Sequence, residues 1–425
     1  MLSFWYSVYN FLLIWLIVIF FKIYSLFNDK VKKGFKGRSD LFGHLERSLL
    51  LLHEDQPNIL LHSSSLGEYQ QALPFTEELL KKNKNVILSF FSPSGFENAK
   101  KPAGNVVKTY LPIDTKHNVK KFLDIIKPEY IFFLRYDLWF NLMYEAKKRN
   151  IKLVLVNARF DEKDISWKLP VSSSFKKALY GMLDIAFAID DTDAKNYSAK
   201  LKNTKIIKIG DSKFERVFES AKNVNTASII DSKITEGKKI FVIGSSWKDD
   251  EDIILPALDK AINFNKDLLV FLVPHEPKET KIKAIEDRLK EKYPALNAIR
   301  YSDLSEFTNK NFIIVDKIGI LMKLYALADL SYVGGGFRTG LHNILEPVIY
   351  NKPVFFSNKV KNSDEDEILL ESGCGILVED TKQFYRKFRE LMDNEDLRNS
   401  IGKKGEMVFK NNLGIAKKIV SILKV

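Results

Sequence analysis

The chain has 425 residues, of which 45% are hydrophobic and 28% charged, and a formal net charge of +12. That length exceeds a single ordinary core, so two globular domains are expected, and the cationic excess points to an anionic partner: nucleic acid, membrane or acidic substrate. A single cysteine, Cys374, excludes an intrachain disulfide framework and reads as a small buried residue.

In chain order, the first feature is a run of eighteen uncharged residues, 4–21. At about 1.5 Å per helical residue it reaches roughly 27 Å, the thickness of a hydrocarbon core. Trp5, Tyr6, Tyr9, Trp15 and Tyr24 resemble an interfacial aromatic belt, and Lys22, Lys30, Lys32, Lys33, Lys36 and Arg38 follow. That charge order keeps the remainder of the chain on the cytoplasmic side. A cleaved signal peptide would need a basic start and a small-residue cleavage site, and the run has neither. Ser7 and Asn10 interrupt it, which leaves open a helix lying in one leaflet.

Short apolar runs then alternate with amphipathic stretches. Strands are expected at 58–62, 86–91, 130–134, 152–156 and 185–189, with helices at 69–82 and 138–149. Phe90, Phe91, Phe132 and Phe133 lie in these runs and read as core. Such alternation implies a parallel sheet covered on both faces. A polar linker at 219–238 precedes a second series that begins near Lys239 and continues through the runs LLVFLVP, FIIVD, DLSYVGGG and PVFF. Two doubly wound halves bind ligands beyond the carboxyl ends of their strands. The expected domains are 1–28 (anchor), 29–220 and 221–425.

The loops after strands are therefore the candidate sites. His62-Ser63-Ser64-Ser65-Leu66-Gly67-Glu68 follows the first strand and opens a helix. Its free N–H groups suit an anion, and Glu68 suits proton abstraction from a hydroxyl; a capped helix with an acidic first turn is the plain structural alternative. The segment 334–340 holds four glycines in seven residues and leads into His342-Asn343-Ile344-Leu345-Glu346. It lacks a P-loop ending and a dinucleotide fingerprint, but a helix beginning near Asn343 would offer its N-terminus to phosphate. Asp190-Asp191-Thr192-Asp193 reads as a helix cap, not a metal motif. His62 at a strand end reads as a hydrogen-bonded structural residue.

Six motifs in order then resemble one family. They are HSSSLGE at 62–68, Ser92-Pro93-Ser94-Gly95, Asn157-Ala158-Arg159, Gly210-Asp211-Ser212-Lys213-Phe214, Gly244-Ser245-Ser246, and VGGGF with GLHNILEP at 333–347. Together they resemble the Kdo transferases, which move 3-deoxy-D-manno-octulosonic acid. The resemblance implies an α/β fold in the GT-B arrangement, with two Rossmann-like doubly wound domains and an N-terminal membrane-anchor helix. It implies inverting transfer of Kdo from CMP-Kdo to a phosphorylated lipid A precursor of the lipid IVA type, at the cytoplasmic face of the inner membrane. Glu68 matches the catalytic base. Lys213, Ser245, Ser246, Gly335, Gly336, Asn343 and Glu346 fall on donor-binding motifs, and Ser65, Gly67, Asp137 and Arg159 on the acceptor side. No cofactor and no metal are expected, and the basic balance is assigned to the anionic membrane surface and the acceptor, not to nucleic acid.

Three departures mark a divergent branch. Arg135-Tyr136-Asp137-Leu138-Trp139 carries a guanidinium in place of one of two carboxylates, His275 stands where the family has a cation, and Trp247 where it has a histidine. Arg159 reads equally as an anion contact or as an internal tie between loops. Two other functions remain open at this stage: a GT-B transferase using a UDP-sugar on another lipid, and a non-catalytic membrane-tethered binding protein.

Overall fold

The computed structural model describes residues 1–222, 224–226, 229–360 and 365–425; residues 223, 227 and 228 of the expected linker fall outside this set. The chain divides into two compact units, Met1–Arg216 with Gly414–Val425, and Val217–Leu413.

The first unit is built on β1 (Asn58–Ser63), β2 (Asn85–Phe90), β3 (Val106–Tyr110), β4 (Tyr130–Leu134), β5 (Lys152–Ala158), β6 (Ile185–Ala188) and β7 (Lys205–Lys208). They form one parallel sheet in the order β3-β2-β1-β4-β5-β6-β7. Successive side chains on a strand alternate between faces, so a continuous apolar run feeds two cores. Leu60, Ile131, Phe133 and Leu155 face one core with Tyr9 and Phe140, whereas Ile59, Leu61, Phe132 and Val156 face the other with Tyr69 and Phe75. The first core lies under the N-terminal helix and the helix Phe140–Lys148; the second lies under the helices Leu66–Lys81 and Ile415–Leu423.

The last of these helices departs from the expected boundary, which gave everything beyond residue 220 to the second domain. Ile415, Ala416, Ile419 and Val420 are all buried, and they pack into the first unit's core. Glu215 accepts the N–H of Ala416 (3.1 Å), which ties the helix Ile415–Leu423 to the same unit. Phe91 also departs from expectation. It falls just past β2, is half-buried, and stacks on Trp139 with ring centroids 4.7 Å apart.

The N-terminal helix spans Leu2–Tyr24 and is long and apolar enough to cross a membrane. One face of it is packed on the first unit: Trp5, Tyr9, Ile14 and Val18 are buried there. The polar interruption at Asn10 has a partner, because Asn10 and Asn141 exchange two side-chain hydrogen bonds of 2.9 Å. Trp5 Nε1 donates to Ser174, and Tyr9 donates its hydroxyl to Asp114 (2.8 Å). Phe11, Leu12, Trp15, Leu16, Ile19 and Phe20 point outward, each more than half exposed.

The second unit holds β8 (Lys239–Ser246), β9 (Leu268–Pro274), β10 (Ala298–Arg300), β11 (Phe312–Ile314), β12 (Leu330–Val333), β13 (Val354–Phe356) and β14 (Gly375–Leu377), again parallel, in the order β10-β11-β9-β8-β12-β13-β14. Phe241, Ile243, Leu258, Leu272, Phe355 and Phe388 anchor its core. Two such Rossmann-like units in one chain, with an apolar N-terminal helix, make this an α/β fold of the GT-B class.

Candidate functional site

Strand order reverses between β1 and β4 in the first sheet, and the central reversal of the second lies between β8 and β12. Open α/β sheets bind ligands in the crevice at this reversal, beyond the carboxyl ends of the strands. The two loops singled out in the sequence fall there: 64–68 follows β1, and 334–340 follows β12.

In the first unit Ser65 is the N-cap of the helix Leu66–Lys81, and its hydroxyl accepts the N–H of Glu68 at 3.4 Å. Glu68 reaches back, its Oε2 accepting from Ser64 N (2.5 Å) and Ser64 Oγ (2.9 Å). The exchange resembles a capping box and holds the carboxylate in one orientation. Its second oxygen, Oε1, makes no hydrogen bond among the described residues. Gly67 is exposed, and a Cβ there would meet only Ser65 Oγ at 3.9 Å, so nothing crowds the approach.

Asp137 follows β4 and binds His62 Nε2 at 2.7 Å, while Ser89 Oγ lies 2.9 Å from His62 Nδ1. The fully buried imidazole thereby ties the ends of β1 and β2 to the loop after β4. This is the structural use expected of His62, and it recruits Asp137. Arg135 adopts φ +55°, a left-handed conformation unfavourable to a side chain. Its guanidinium meets Gln71 Oε1 (3.2 Å) and Asp211 (3.6 Å). Asn157, with φ +51°, donates to Gln71 Oε1 and Ser212 Oγ. Arg159 stands just past β5, half-buried, and its carbonyl accepts the Tyr197 hydroxyl.

Lys213 opens the helix Lys213–Lys222, and its N–H donates to Asp211 at 2.8 Å. It belongs to the first unit, whereas the other expected donor residues lie in the second. Gln71, Asp211 and Ser212 were missed as a group because they meet only through the fold, although Gly210–Phe214 and Asn157 sat in recognised motifs.

In the second unit Ser245 takes φ +52° at the end of β8. Ser246 is buried and donates to Glu251 at 3.0 Å, which commits its hydroxyl to the helix Lys248–Ala261. Asp250 organises the glycine loop. It accepts from Trp247 N (2.9 Å), Gly335 N (2.9 Å) and the Tyr332 hydroxyl (2.7 Å), and burial raises its pKa against those donors. Asp250 falls in the acidic run Asp249-Asp250-Glu251-Asp252 that follows Gly244-Ser245-Ser246 in the chain.

The glycines are required by geometry. Gly335 has φ +98°, and a Cβ on Gly336 would sit 1.5 Å from the Ser357 carbonyl oxygen. Asn343 donates to Glu346 at 3.1 Å and accepts the Leu345 N–H. The helix expected to begin near Asn343 is a single turn, Leu345–Val348. A single turn aligns few peptide dipoles, so it offers an anion little, and the N–H groups of Gly334, Gly335, Arg338, Thr339, Gly340 and His342 are already bonded within the unit.

The rings of Trp247, His275 and His342 stack beside this loop. Trp247 and His275 are 4.7 Å apart, His275 and His342 4.3 Å, and Trp247 Nε1 donates to His342 Nε2 at 3.0 Å. Burial and the neighbouring His275 lower the pKa of His342 to about 4, so it is the neutral acceptor this bond needs. The two departures at 247 and 275 are thus coupled in one stack.

Residues 37–216 match the family model of the 3-deoxy-D-manno-octulosonic-acid transferases, and the match ends where the first unit's main segment ends. The chain is 30% identical over 359 residues to a bifunctional glycosyltransferase/methyltransferase of Fusobacterium nucleatum, covering 80% of this chain and 53% of that protein. It thus spans about half the length of that relative. It is 27% identical over 383 residues to the 3-deoxy-D-manno-octulosonic acid transferase of Haemophilus influenzae, with 86% of each chain covered. Among solved structures, a UDP-N-acetylglucosamine 2-epimerase assignment from Listeria monocytogenes (TM-score 0.61, 12% identity, covering 87% of this chain and 96% of that one) shares the fold. So does a glycosyltransferase from Rickettsia africae (TM-score 0.58, 16% identity, 87% and 98%). The matched segment and these relatives show that the chain is similar to the Kdo transferases.

Proposed function

We propose that the chain transfers Kdo from CMP-Kdo to a hydroxyl of a phosphorylated lipid A precursor, with inversion, at the surface of the inner membrane. The observation that carries this is Glu68, held by Ser64 and Ser65 at the strand-order reversal of a matched Kdo transferase domain. In the proposed step its carboxylate accepts the proton of the acceptor hydroxyl. That oxygen bonds to the anomeric carbon as the bond to phosphate breaks, and CMP leaves. Gly335, Gly336, Ser245, Asn343 and Glu346 are assigned to the donor in the second unit. Lys213, though in the first, stays in the donor set, and its cation suits the phosphate. Ser246, committed to Glu251, supports the turn from behind. Ser65, Gly67, Asp137 and Arg159 are assigned to the acceptor.

The N-terminal helix supports attachment along the membrane plane. Its inner face is bonded to Asp114, Asn141 and Ser174, so a full crossing would strip those bonds, whereas its outer face is apolar and aromatic. The cytoplasmic face is favoured by the cations that follow it.

The test is transfer by the purified full chain to a lipid A precursor, with CMP-Kdo generated in situ and product read by mass spectrometry. Kdo addition that survives EDTA is expected. Loss of activity in EDTA, restored by a divalent ion, overturns the metal-free assignment. Consumption of a UDP-sugar with no use of CMP-Kdo overturns the donor and leaves the fold reading intact.

A further inference from the structure

The first unit holds an apolar cavity of about 140 Å³ between the N-terminal helix and the helix Asp29–Lys36. Its walls include Ile17 and Phe21 from the first helix, Val31 and Phe35 from the second, and Phe91 and Trp139 from the loops after β2 and β4. Gly34 also faces it and offers no side chain to fill it. An apolar cavity of roughly this size (~150 Å³) stays dry and accepts a benzene, so the space suits a run of several methylenes.

Three observations narrow the occupant. First, the cavity borders the outward apolar face of the N-terminal helix, where Phe20 and Ile23 are exposed, so a chain can enter from a lipid phase. Second, its two charged lining residues, Lys30 and Arg38, are both cations. Arg38 donates to the carbonyls of Gly34, Phe91 and Leu111 and lies over the rings of Phe91 and Tyr110, with no carboxylate partner among the described residues. Burial lowers its pKa only to about 10, so it remains charged. Third, the cavity adjoins the loop of Glu68: Ser92, in its wall, donates its N–H to the Ser64 carbonyl at 2.9 Å, and Ser64 holds Glu68.

We propose that this cavity receives one acyl chain of the anionic glycolipid acceptor, so that Lys30 and Arg38 face its phosphorylated head and the sugar hydroxyl reaches Glu68. The proposal rests on the acceptor reading above and deepens it. A bulk phospholipid satisfies the apolar walls but gains nothing from proximity to Glu68. The cavity therefore selects the acceptor by coupling chain burial to head-group position.

The experiment uses the full chain in phosphatidylcholine nanodiscs. One probe is a phosphorylated diacyl glucosamine lipid with a diazirine in one acyl chain; the other is phosphatidylcholine with the same labelled chain. After illumination, crosslinked peptides are mapped by mass spectrometry. The expected result is labelling at Phe21, Phe35 or Phe91 by the glycolipid at least about tenfold above that by phosphatidylcholine, the ratio given by a ~1.4 kcal/mol preference. Ile17→Trp and Val31→Trp fill the cavity from opposite walls. Each is expected to abolish labelling at Phe91 while Phe11 and Trp15 on the outer face remain labelled, which reports a folded, membrane-bound chain. Labelling confined to the outer face, equal labelling by the two probes, or labelling of Phe91 unchanged in both variants overturns the proposal. If a variant does not reach the membrane, the two probes on the unaltered chain still decide. Kdo transfer without cavity labelling sinks this inference and spares the function. Cavity labelling by the glycolipid without Kdo transfer does the reverse.

Discussion

The proposed function gives Glu68 two tasks with one carboxylate. Oε2 closes the N-terminus of the helix Leu66–Lys81 through Ser64, and Oε1 is left for chemistry. The capping contacts of HSSSLGE therefore leave one carboxylate oxygen for the proposed chemistry. Glu68→Ala is expected to lower the transfer rate by about 10²–10⁴-fold, the usual contribution of a general base. The same change should cost about 0.5–2 kcal/mol in urea unfolding through the lost cap. A rate that survives the substitution removes Glu68 from the chemistry. Gly67 gives a cleaner separation, since the added methyl meets no neighbour closer than 3.9 Å and the position is helical. Gly67→Ala should leave the melting temperature unchanged or slightly raised. If this turn admits the acceptor, KM for the glycolipid rises while KM for CMP-Kdo stays put; unaltered kinetics withdraw Gly67 from the acceptor set. Both positions were singled out from the sequence alone. The His62–Asp137 pair was not, because its members are 75 positions apart and meet only when β1 and β4 become neighbours.

At the scale of elements, the N-terminal helix shows what an apolar run conceals. Composition gave a membrane-length helix but not its inner face, because Tyr9 and Asn10 become polar anchors only against Asp114 and Asn141. Asp114 also accepts the N–H groups of Asn141 and Leu142 (both 2.9 Å) and so caps the helix Phe140–Lys148 from outside. Burial outweighs these donors and raises its pKa to about 7. The sign follows from linkage: between about pH 4 and 7 the unfolded chain has released this proton and the folded chain retains it. The contribution of Asp114 to stability is therefore full below pH 4 and is lost as pH rises toward 7. The difference in unfolding free energy between the unaltered chain and Asp114→Asn should change in that direction between pH 5 and 8. A flat difference across that range contradicts a raised pKa.

For the whole molecule, the chain's last residues belong to its first half. The helix Ile415–Leu423 buries Ile415, Ile419 and Val420 against the helix Leu66–Lys81 and its sheet. Fully burying an aliphatic side chain contributes about 1.5–3 kcal/mol. Truncation after Leu413 should therefore destabilise the first unit by several kcal/mol and leave the second nearly unaffected. Hydrogen exchange read separately on β1–β5 and β8–β12 checks this: faster exchange confined to the first set is expected, and equal acceleration in both sets is incompatible with it. The sequence reading missed this return because Ile415-Ala416-Lys417-Lys418-Ile419-Val420 is an ordinary amphipathic pattern, and pattern alone does not say which core it serves.

The amino-acid sequence by itself determined the class of fold and the positions of both loops. Apolar runs of strand length report parallel strands locally, and the glycines and serines after them report backbone conformation. It also carried the resemblance to the Kdo transferases, through motifs whose residues are close in the chain. The tertiary structure decided everything that depends on distant residues meeting. It bound Ser246 to Glu251 and shortened the turn after Asn343 to Leu345–Val348. It also joined Trp247, His275 and His342 in one stack and opened a cavity under the N-terminal helix. The physical reason is that hydrogen bonds, ring stacking and cavity walls act over a few ångströms. Only the folded chain brings positions a hundred residues apart within that range.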